Sequence, residues 1–178
     1  MRAFKAFTDE YYALVLRTVN GFLHNEEDAK DLAQEVFIEL YQSIHKFRKK
    51  ASLSTWVYRI AVNKSLNFIR DNKRKRFWEN IENAFSTGKE EKNALVDPEK
   101  HTHAIESKER AEVLKKALDS LPGNQRIAFV LSKYDDLSNK KIAEVMDVSV
   151  PAVESLVHRA KQNLQKKLLK YFSTESGS

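Results

Sequence analysis

Residues 142–164, IAEVMDVSVPAVESLVHRAKQNL, contain two amphipathic segments separated by a short corner. Ser138 stands where an N-cap of the first segment would lie. Ile142, Ala143 and Met146 follow at the spacing of a buried helical face, and the small Ala143 permits close approach of a neighbouring helix. The pattern predicts a helix-turn-helix.

The corner and the second helix fit the same prediction. The corner usually requires one residue with positive φ, and Asp147, which stands there, adopts that conformation more readily than most residues other than Gly. We expect Val148 to fill the corner and Val153, Leu156 and Val157 to form the buried side of the second helix. An ordinary helical hairpin is the alternative to a DNA-binding motif.

A recognition helix presents its first turns to base edges in the major groove. The residues in that position are Ser149, Pro151, Ala152, Glu154, Ser155, His158 and Arg159. The lysines placed to contact phosphates are Lys140, Lys141 and Lys161. This part of the chain is therefore predicted to bind duplex DNA.

Composition favours an all-α fold. The 178 residues include only 4 Gly and 3 Pro, while good helix formers recur in long stretches. No Cys is present, which excludes disulfides, a thiolate nucleophile and a cysteine zinc site. The N-terminal apolar phase is interrupted by Asp9, Glu10 and Arg17, so neither a signal peptide nor a membrane span is expected, and we predict a cytoplasmic location.

Charge divides the first half of the chain into two segments. Residues 46–76 contain eleven Lys or Arg and one acidic residue, whereas residues 26–39 contain six acidic residues and one Lys. Neighbouring segments of opposite charge are expected to meet different partners.

Apolar periodicity predicts one helix over the acidic segment and another over the basic one. The residues expected to form a broad buried stripe on the first helix are Leu32, Ala33, Val36, Phe37, Leu40, Tyr41 and Ile44. Ser52 or Ser54 is expected to cap the second helix, which we expect to end at or a little beyond Asp71.

The second helix combines aromatic residues with basic and amide side chains at helical spacing. These residues are Trp56, Tyr58, Arg59, Asn63, Lys64, Asn67 and Arg70. Such a surface suits a separated DNA strand, whose exposed bases can stack on aromatic rings. The alternative is that Trp56 is a partly buried core residue and the cations are a solvated face.

These patterns predict two small helical domains joined by a flexible linker. The first domain spans residues 1–76, and the linker, with Gly88 and Pro98, spans residues 77–107. The second domain spans residues 108–172, and residues 173–178 are expected to be a disordered tail. His101 and His103 fall in the linker without further ligands, so no metal or cofactor is expected.

Three segments together resemble the small extracytoplasmic-function sigma factors of bacterial RNA polymerase, within the sigma-70 family. DLAQEVF at residues 31–37 resembles the region-two helix that binds the polymerase clamp, and LSTWVYRIAVN at residues 53–63 resembles the promoter-melting segment. Residues 120–168 resemble region four. The resemblance covers nearly the whole chain in the same order.

The resemblance implies a role for each surface. Asp31, Gln34, Glu35 and Ile38 would contact core polymerase. The residues implied to meet the minus-ten DNA are Lys49, Lys50, Ser52, Ser54, Trp56, Arg59, Asn63, Asn67 and Arg70. The helix-turn-helix residues given above would contact the minus-thirty-five element. The implied partners are the clamp coiled coil and flap of core polymerase, promoter DNA and an anti-sigma factor.

Two other classes of protein could carry part of this pattern. A stand-alone helix-turn-helix regulator would explain the second domain but not the basic aromatic helix or the acidic face. A nucleic-acid enzyme should show clustered carboxylates or a His–Glu pair, and the adjacent Asp135 and Asp136 are better explained as turn residues. We therefore expect a sigma factor with no catalytic residues.

Overall fold

The structure is a computed structural model that describes residues 2–47, 51–86 and 112–175. Within those ranges the chain forms seven α-helices and one 3₁₀ turn, Ile44–Lys46, and no strand. The helices are α1 (Arg2–Leu23), α2 (Glu26–Ser43), α3 (Leu53–Ser86), α4 (112–119), α5 (Gly123–Lys133), α6 (Asn139–Met146) and α7 (Val150–Glu175). The all-α prediction is confirmed.

Helices α1, α2 and α3 pack together to form the N-terminal half. The side chain of Asn25 caps α2 by accepting hydrogen bonds from the backbone N–H groups of Glu27 and Asp28. Leu32, Val36 and Leu40 on α2 are buried in the core, as the periodicity predicted. Phe37 and Ala33 join them, so α2 turns one broad apolar stripe inward.

Helix α3 is longer than the sequence predicted. Ser52 caps it, because its Oγ accepts a hydrogen bond from the backbone N–H of Thr55 at 3.2 Å. The helix continues past Asp71 to Ser86, so residues 77–86 are helical although we assigned them to the linker. Residues 72–86 contain neither Gly nor Pro, so no helix breaker stops the chain there.

Two other predicted segments differ from the structure or fall outside it. Helix α7 runs to Glu175, so the first three residues of the expected disordered tail are helical. Residues 87–107 of the predicted linker and residues 176–178 lie outside the described residues.

The helix-turn-helix forms as its local sequence predicts, except at one residue. Ser138 caps α6 by accepting a hydrogen bond from the N–H of Lys141. Asp147 has φ of 57° and ends the helix in the left-handed region. Val148 does not fill the corner, as we had expected; its side chain is exposed, and Val145 is buried on α6 instead.

The two halves pack against each other through a shared apolar core. Buried residues of α1, α2 and α3 belong to the same cluster as buried residues of α5, α6 and α7. At Gly21 a Cβ would lie 2.9 Å from Val130 Cγ1 and 3.2 Å from Tyr134 Cβ, so the missing side chain lets α1 approach α5.

Replacing this glycine should weaken the packing of α1 on α5. In Gly21→Ala the new methyl group forces the stiff Val130 side chain to move, at a cost of about 1–3 kcal/mol. The matched control is Gly123→Ala, because a Cβ there meets nothing within 4 Å. We expect the two variants to differ in free energy of unfolding by about 1–3 kcal/mol in urea titrations. Equal stability would show that α1 and α5 are not closely packed.

Candidate nucleic-acid interface

The first turns of α7 carry most of the predicted base-contacting residues on an exposed surface. Exposed side chains are those of Ser149, Pro151, Glu154, Ser155, His158, Arg159 and Lys161, while Ala152 is half-buried. Ser149 also caps the helix, since its Oγ accepts a hydrogen bond from the N–H of Ala152 at 3.3 Å. On the opposite side of α7, Val153 is fully buried and fixes which face points outward.

Of the two lysines on α6, only Lys140 is exposed. The ammonium group of Lys141 donates to Ser52 Oγ at 2.7 Å and to Thr55 Oγ1 at 2.6 Å, both at the start of α3. Its third partner is the carboxylate of Glu144, 3.4 Å away. In this conformation Lys141 therefore binds the N-terminal half and not a phosphate, which sequence spacing did not indicate.

Arg59, toward the N-terminal end of the predicted minus-ten surface, also forms hydrogen bonds within the protein. Arg59 on α3 donates from Nε to the carbonyl of Val145 at 3.2 Å and from Nη2 to that of Glu144 at 2.7 Å. These carbonyls belong to the last turn of α6, where a cation is favourably placed against the helix dipole. Arg59 thus holds α6 against α3.

Farther along α3 the predicted residues are open to solvent. Asn63, Asn67 and Arg70 are exposed on one face, as their spacing predicted.

Two of the predicted minus-ten residues that precede Arg59 are less open. Trp56 is half-buried, with its ring centroid 5.2 Å from that of Phe47, which agrees with the alternative of a partly buried core residue. The remaining members of this set are the exposed Ser52, the half-buried Ser54, and Lys49 and Lys50, which lie outside the described residues.

The outward face of α2 presents all the residues predicted to contact polymerase. Asp31, Gln34 and Glu35 are exposed, and Ile38 is 57% exposed despite its apolar side chain. An exposed apolar side chain is typical of a protein-binding surface, and the neighbouring carboxylates would repel the phosphates of DNA.

Two residues that we assigned to the buried stripe of α2 are in fact exposed. Tyr41 is 63% exposed and Ile44 is 48% exposed. Ile44 lies in the 3₁₀ turn after α2, where the helical phase changes, so its spacing of four residues from Leu40 no longer predicts the direction of its side chain. Both extend the apolar part of the α2 surface beyond Ile38.

The acidic and basic surfaces are joined by one lysine. Lys64 on α3 places its ammonium group 3.3 Å from Glu39 and 3.6 Å from Glu35, both on α2. The lysine is half-buried and its partners are largely exposed, so these ion pairs orient side chains more than they stabilise the fold.

Asp135 forms a buried polar contact between the two halves that the sequence did not reveal. Its Oδ1 accepts from Arg17 Nε and its Oδ2 accepts from Thr18 Oγ1, each at 2.9 Å. Burial raises the pKa of Asp135, although the two donors favour the charged form. Only the adjacent Asp136, with φ of 51°, acts as the turn residue we expected of both.

Arg126 forms a second contact of this kind. The residue is almost fully buried, lies 2.7 Å from Asp119 Oδ1, and also donates to the carbonyl of Phe22 at the end of α1. Burial lowers the pKa of Arg126, because the charged guanidinium has lost most of its water. Phe22 lies 104 residues from Arg126 in sequence, so no local pattern predicted the bond that joins α5 to the end of α1.

Two other kinds of site are absent from the described residues. No group of three or more His, Cys, Asp or Glu in that part of the chain could hold a metal ion. Likewise, none of the helices described above is long and apolar enough to cross a membrane.

An acidic and apolar face on α2, a basic face on α3 and a helix-turn-helix are the surfaces of a DNA-binding protein that also binds a protein partner. Residues 7–75 match sigma-70 region 2, and residues 111–164 match sigma-70 region 4. The chain belongs to the sigma-70 family and is a sigma factor of the extracytoplasmic-function type.

Curated relatives agree with this assignment. The RNA polymerase sigma-H factor of Pseudomonas aeruginosa is 30% identical over 167 residues, which cover 94% of this chain and 86% of that protein. The ECF RNA polymerase sigma-E factor of Escherichia coli is 29% identical over 167 residues, covering 94% of this chain and 87% of that protein.

Two solved structures share the fold. One is CnrH in complex with the cytosolic domain of CnrY, with a TM-score of 0.62, 20% identity, and coverage of 99% of this chain and 90% of that chain. The other is the sigma factor RpoE in complex with the anti-sigma factor NepR from Bartonella quintana, with a TM-score of 0.58, 21% identity, and coverage of 92% and 97%.

Proposed function

We propose that the surfaces described above divide the work of transcription initiation. The outward face of α2, with Asp31, Gln34, Glu35 and Ile38, binds core RNA polymerase. The exposed face of α3 captures the unwound minus-ten strand, and the first turns of α7 bind the minus-thirty-five duplex. The observation that carries this proposal is that the acidic-apolar face of α2 and the exposed Asn63, Asn67 and Arg70 lie on separate helices.

Energetics support strand capture by side chains alone. Unstacking a base costs a few kcal/mol, and stacking returns about 1–3 kcal/mol per base, so the half-buried Trp56 with the exposed polar residues of α3 can stabilise an opening that polymerase helps to create. Tyr58, which the sequence placed on the same surface, is buried in the core and cannot take part. In this proposal phosphodiester chemistry belongs to polymerase, and the factor acts in the cytoplasm as a non-catalytic subunit. The stand-alone regulator is not favoured, because the N-terminal half matches sigma-70 region 2.

The compact arrangement adds a requirement to this proposal. Arg59 and Lys141 cannot contact DNA while they bind across the two halves. We propose that α6 leaves α3 when the factor joins polymerase, which frees both cations. An anti-sigma factor, of the kind bound to RpoE in the structure from Bartonella quintana, would act on the same equilibrium by holding the factor away from polymerase.

The decisive experiment is run-off transcription with bacterial core polymerase, with and without this protein, on a randomised promoter library. We expect factor-dependent transcripts whose templates share two short elements at fixed spacing. Sequence-specific duplex binding by the protein alone, without any transcript, would contradict the proposal and favour the stand-alone regulator.

Arg159→Ala should weaken binding to the closed promoter. Arg159 is exposed near the start of α7, and loss of one base or phosphate contact there costs about 1–3 kcal/mol, or roughly 5- to 150-fold in affinity. Transcription from a template with a pre-opened minus-ten segment should change much less. An equal loss on closed and pre-opened templates would count against the assigned position, and Lys166→Ala, farther along α7, is the exposed control.

A further inference from the structure

Two large aromatic side chains are exposed side by side on the distal part of α3. Phe77 is 61% exposed and Trp78 is 56% exposed, and their rings meet edge to face with centroids 6.0 Å apart. They lie beyond residue 75, where the match to sigma-70 region 2 ends, and in residues that the sequence had assigned to the linker. Two adjacent aromatic rings exposed to water form an apolar surface of the kind that is typical of a binding site.

The aromatic pair continues the face of α3 that we assigned to minus-ten DNA. Residues three or four positions apart along α3 lie on one face of the helix. This stripe consists of Arg59, Asn63, Asn67, Arg70, Arg74 and Phe77. Eighteen residues of helix separate its ends, which is about 27 Å at 1.5 Å per residue. That length corresponds to roughly eight nucleotides at the 3.4 Å spacing of one strand in duplex DNA.

The charge around the pair fits a nucleic acid. Residues 73–76 are four consecutive cations, KRKR. Arg74 is exposed on the same stripe, whereas Lys73 donates to the carbonyl of Asp119 at 2.6 Å and Lys75 lies 3.9 Å from Glu79. Cations for phosphates beside rings for bases are the combination found in single-strand binding surfaces, and a purely apolar protein partner would leave the cations unmatched.

Base geometry decides which form of DNA fits. In a duplex each base is covered on both faces by its neighbours, so a side-chain ring can stack only on a base that has left the stack. We propose that Phe77 and Trp78 form a stacking platform for unpaired promoter bases next to the minus-ten segment, with Arg74 on the adjoining phosphate. This inference rests on the proposed function, because it extends the strand that α3 captures.

Unlike Arg59, the stacking platform is accessible in the conformation in which α6 packs on α3. Arg59 is bonded to the last turn of α6, while both rings are exposed in the same conformation. The free full-length protein should therefore bind single-stranded DNA before its two halves separate, and this can be measured without polymerase.

The first test uses a labelled oligodeoxythymidylate of about twenty nucleotides and a duplex of equal length, titrated with the full-length protein. Phe77→Ala with Trp78→Ala should lower single-strand affinity about tenfold or more and leave duplex affinity unchanged. Tyr12→Ala, which removes an exposed aromatic residue from α1, is the matched control and should bind like wild type. Unchanged single-strand affinity, or equal loss on the duplex, would overturn the proposal.

A second measurement detects the contact itself. The chain has 2 Trp, so in a Trp56→Phe background Trp78 is the sole tryptophan emitter. Binding of the single-stranded oligonucleotide should quench the fluorescence of Trp78 through stacking. At saturation this quenching should exceed the quenching that the duplex produces. Arg74→Ala should reduce the salt dependence of binding but preserve the quenching at low salt. Absence of quenching would show that the rings do not stack on bases.

Transcription separates this inference from the proposed function. With core polymerase the Phe77→Ala, Trp78→Ala variant should still give factor-dependent transcripts, reduced severalfold on closed templates. If wild type gives no transcripts, the proposed function fails whatever the oligonucleotide data show. If the double variant loses affinity for core polymerase instead of for DNA, the platform is a protein-binding surface and the inference is wrong.

Discussion

Arg59→Ala combined with Asn63→Ala is expected to leave polymerase binding intact and to reduce promoter opening by about a hundredfold. In the proposed function each side chain contributes one contact to the captured strand, and two lost contacts of about 1.4 kcal/mol each give two factors of ten. The effect is expected because neither residue lies on α2, where polymerase is proposed to bind.

The measurement is the fluorescence of a base analogue placed in the minus-ten segment, recorded with a fixed amount of holoenzyme. Asp31→Ala with Gln34→Ala is the reciprocal variant, since both residues are exposed on α2. It should lose affinity for core polymerase and show near-normal opening once excess factor restores the complex. If both double variants fail at the same step, the division of surfaces between α2 and α3 is wrong.

Arg126→Ala is expected to cause the largest loss of stability, about 3 kcal/mol. The substitution leaves the carboxylate of Asp119 without its ion-pair partner and the buried carbonyl of Phe22 without the donor from α5. Removing one member of a buried charged pair costs about 3–5 kcal/mol, and the lower end applies because Asp119 keeps some contact with water.

Urea unfolding followed by circular dichroism would measure this effect. Arg159→Ala removes the same kind of side chain from an exposed position, so it should stay within about 0.5 kcal/mol of wild type. Because Arg126 connects α5 to the end of α1, its loss should also let the two halves separate. A variant as stable and as compact as wild type would contradict this role.

Local features of the structure were predictable because their causes lie within a few residues. Ser138 caps α6 through a neighbour three positions away, and Asp147 adopts positive φ because the corner demands it. The exposed faces of α2 and α7 followed from helical spacing in the same way. Ile44 was wrongly placed because the helix gives way to a 3₁₀ turn, a change that periodicity does not reveal. Tyr41 lies within α2 itself, at the edge of the apolar stripe, where its ring meets that of Phe4 but stays exposed.

Features that join the two halves could not be predicted. Asp135 meets donors that precede it by 118 and 117 residues, and no spacing rule connects positions so far apart. The bonds from Arg59 and Lys141 likewise depend on how α6 lies against α3. The distal part of α3 was missed for a different reason, since residues 72–86 are rich in charge and lack the regular apolar stripe that marks a buried helix.

In the proposed function, the contact between α6 and α3 competes with promoter DNA for Arg59. Molecules in which Arg59 is bonded to α6 cannot present it to DNA, so the apparent Kd equals the intrinsic Kd divided by the fraction of molecules that have separated. Each tenfold decrease in that fraction weakens apparent binding by about 1.4 kcal/mol. A complex that holds the two halves apart brings the separated fraction to one. Such a complex would tighten promoter binding without contacting a single base.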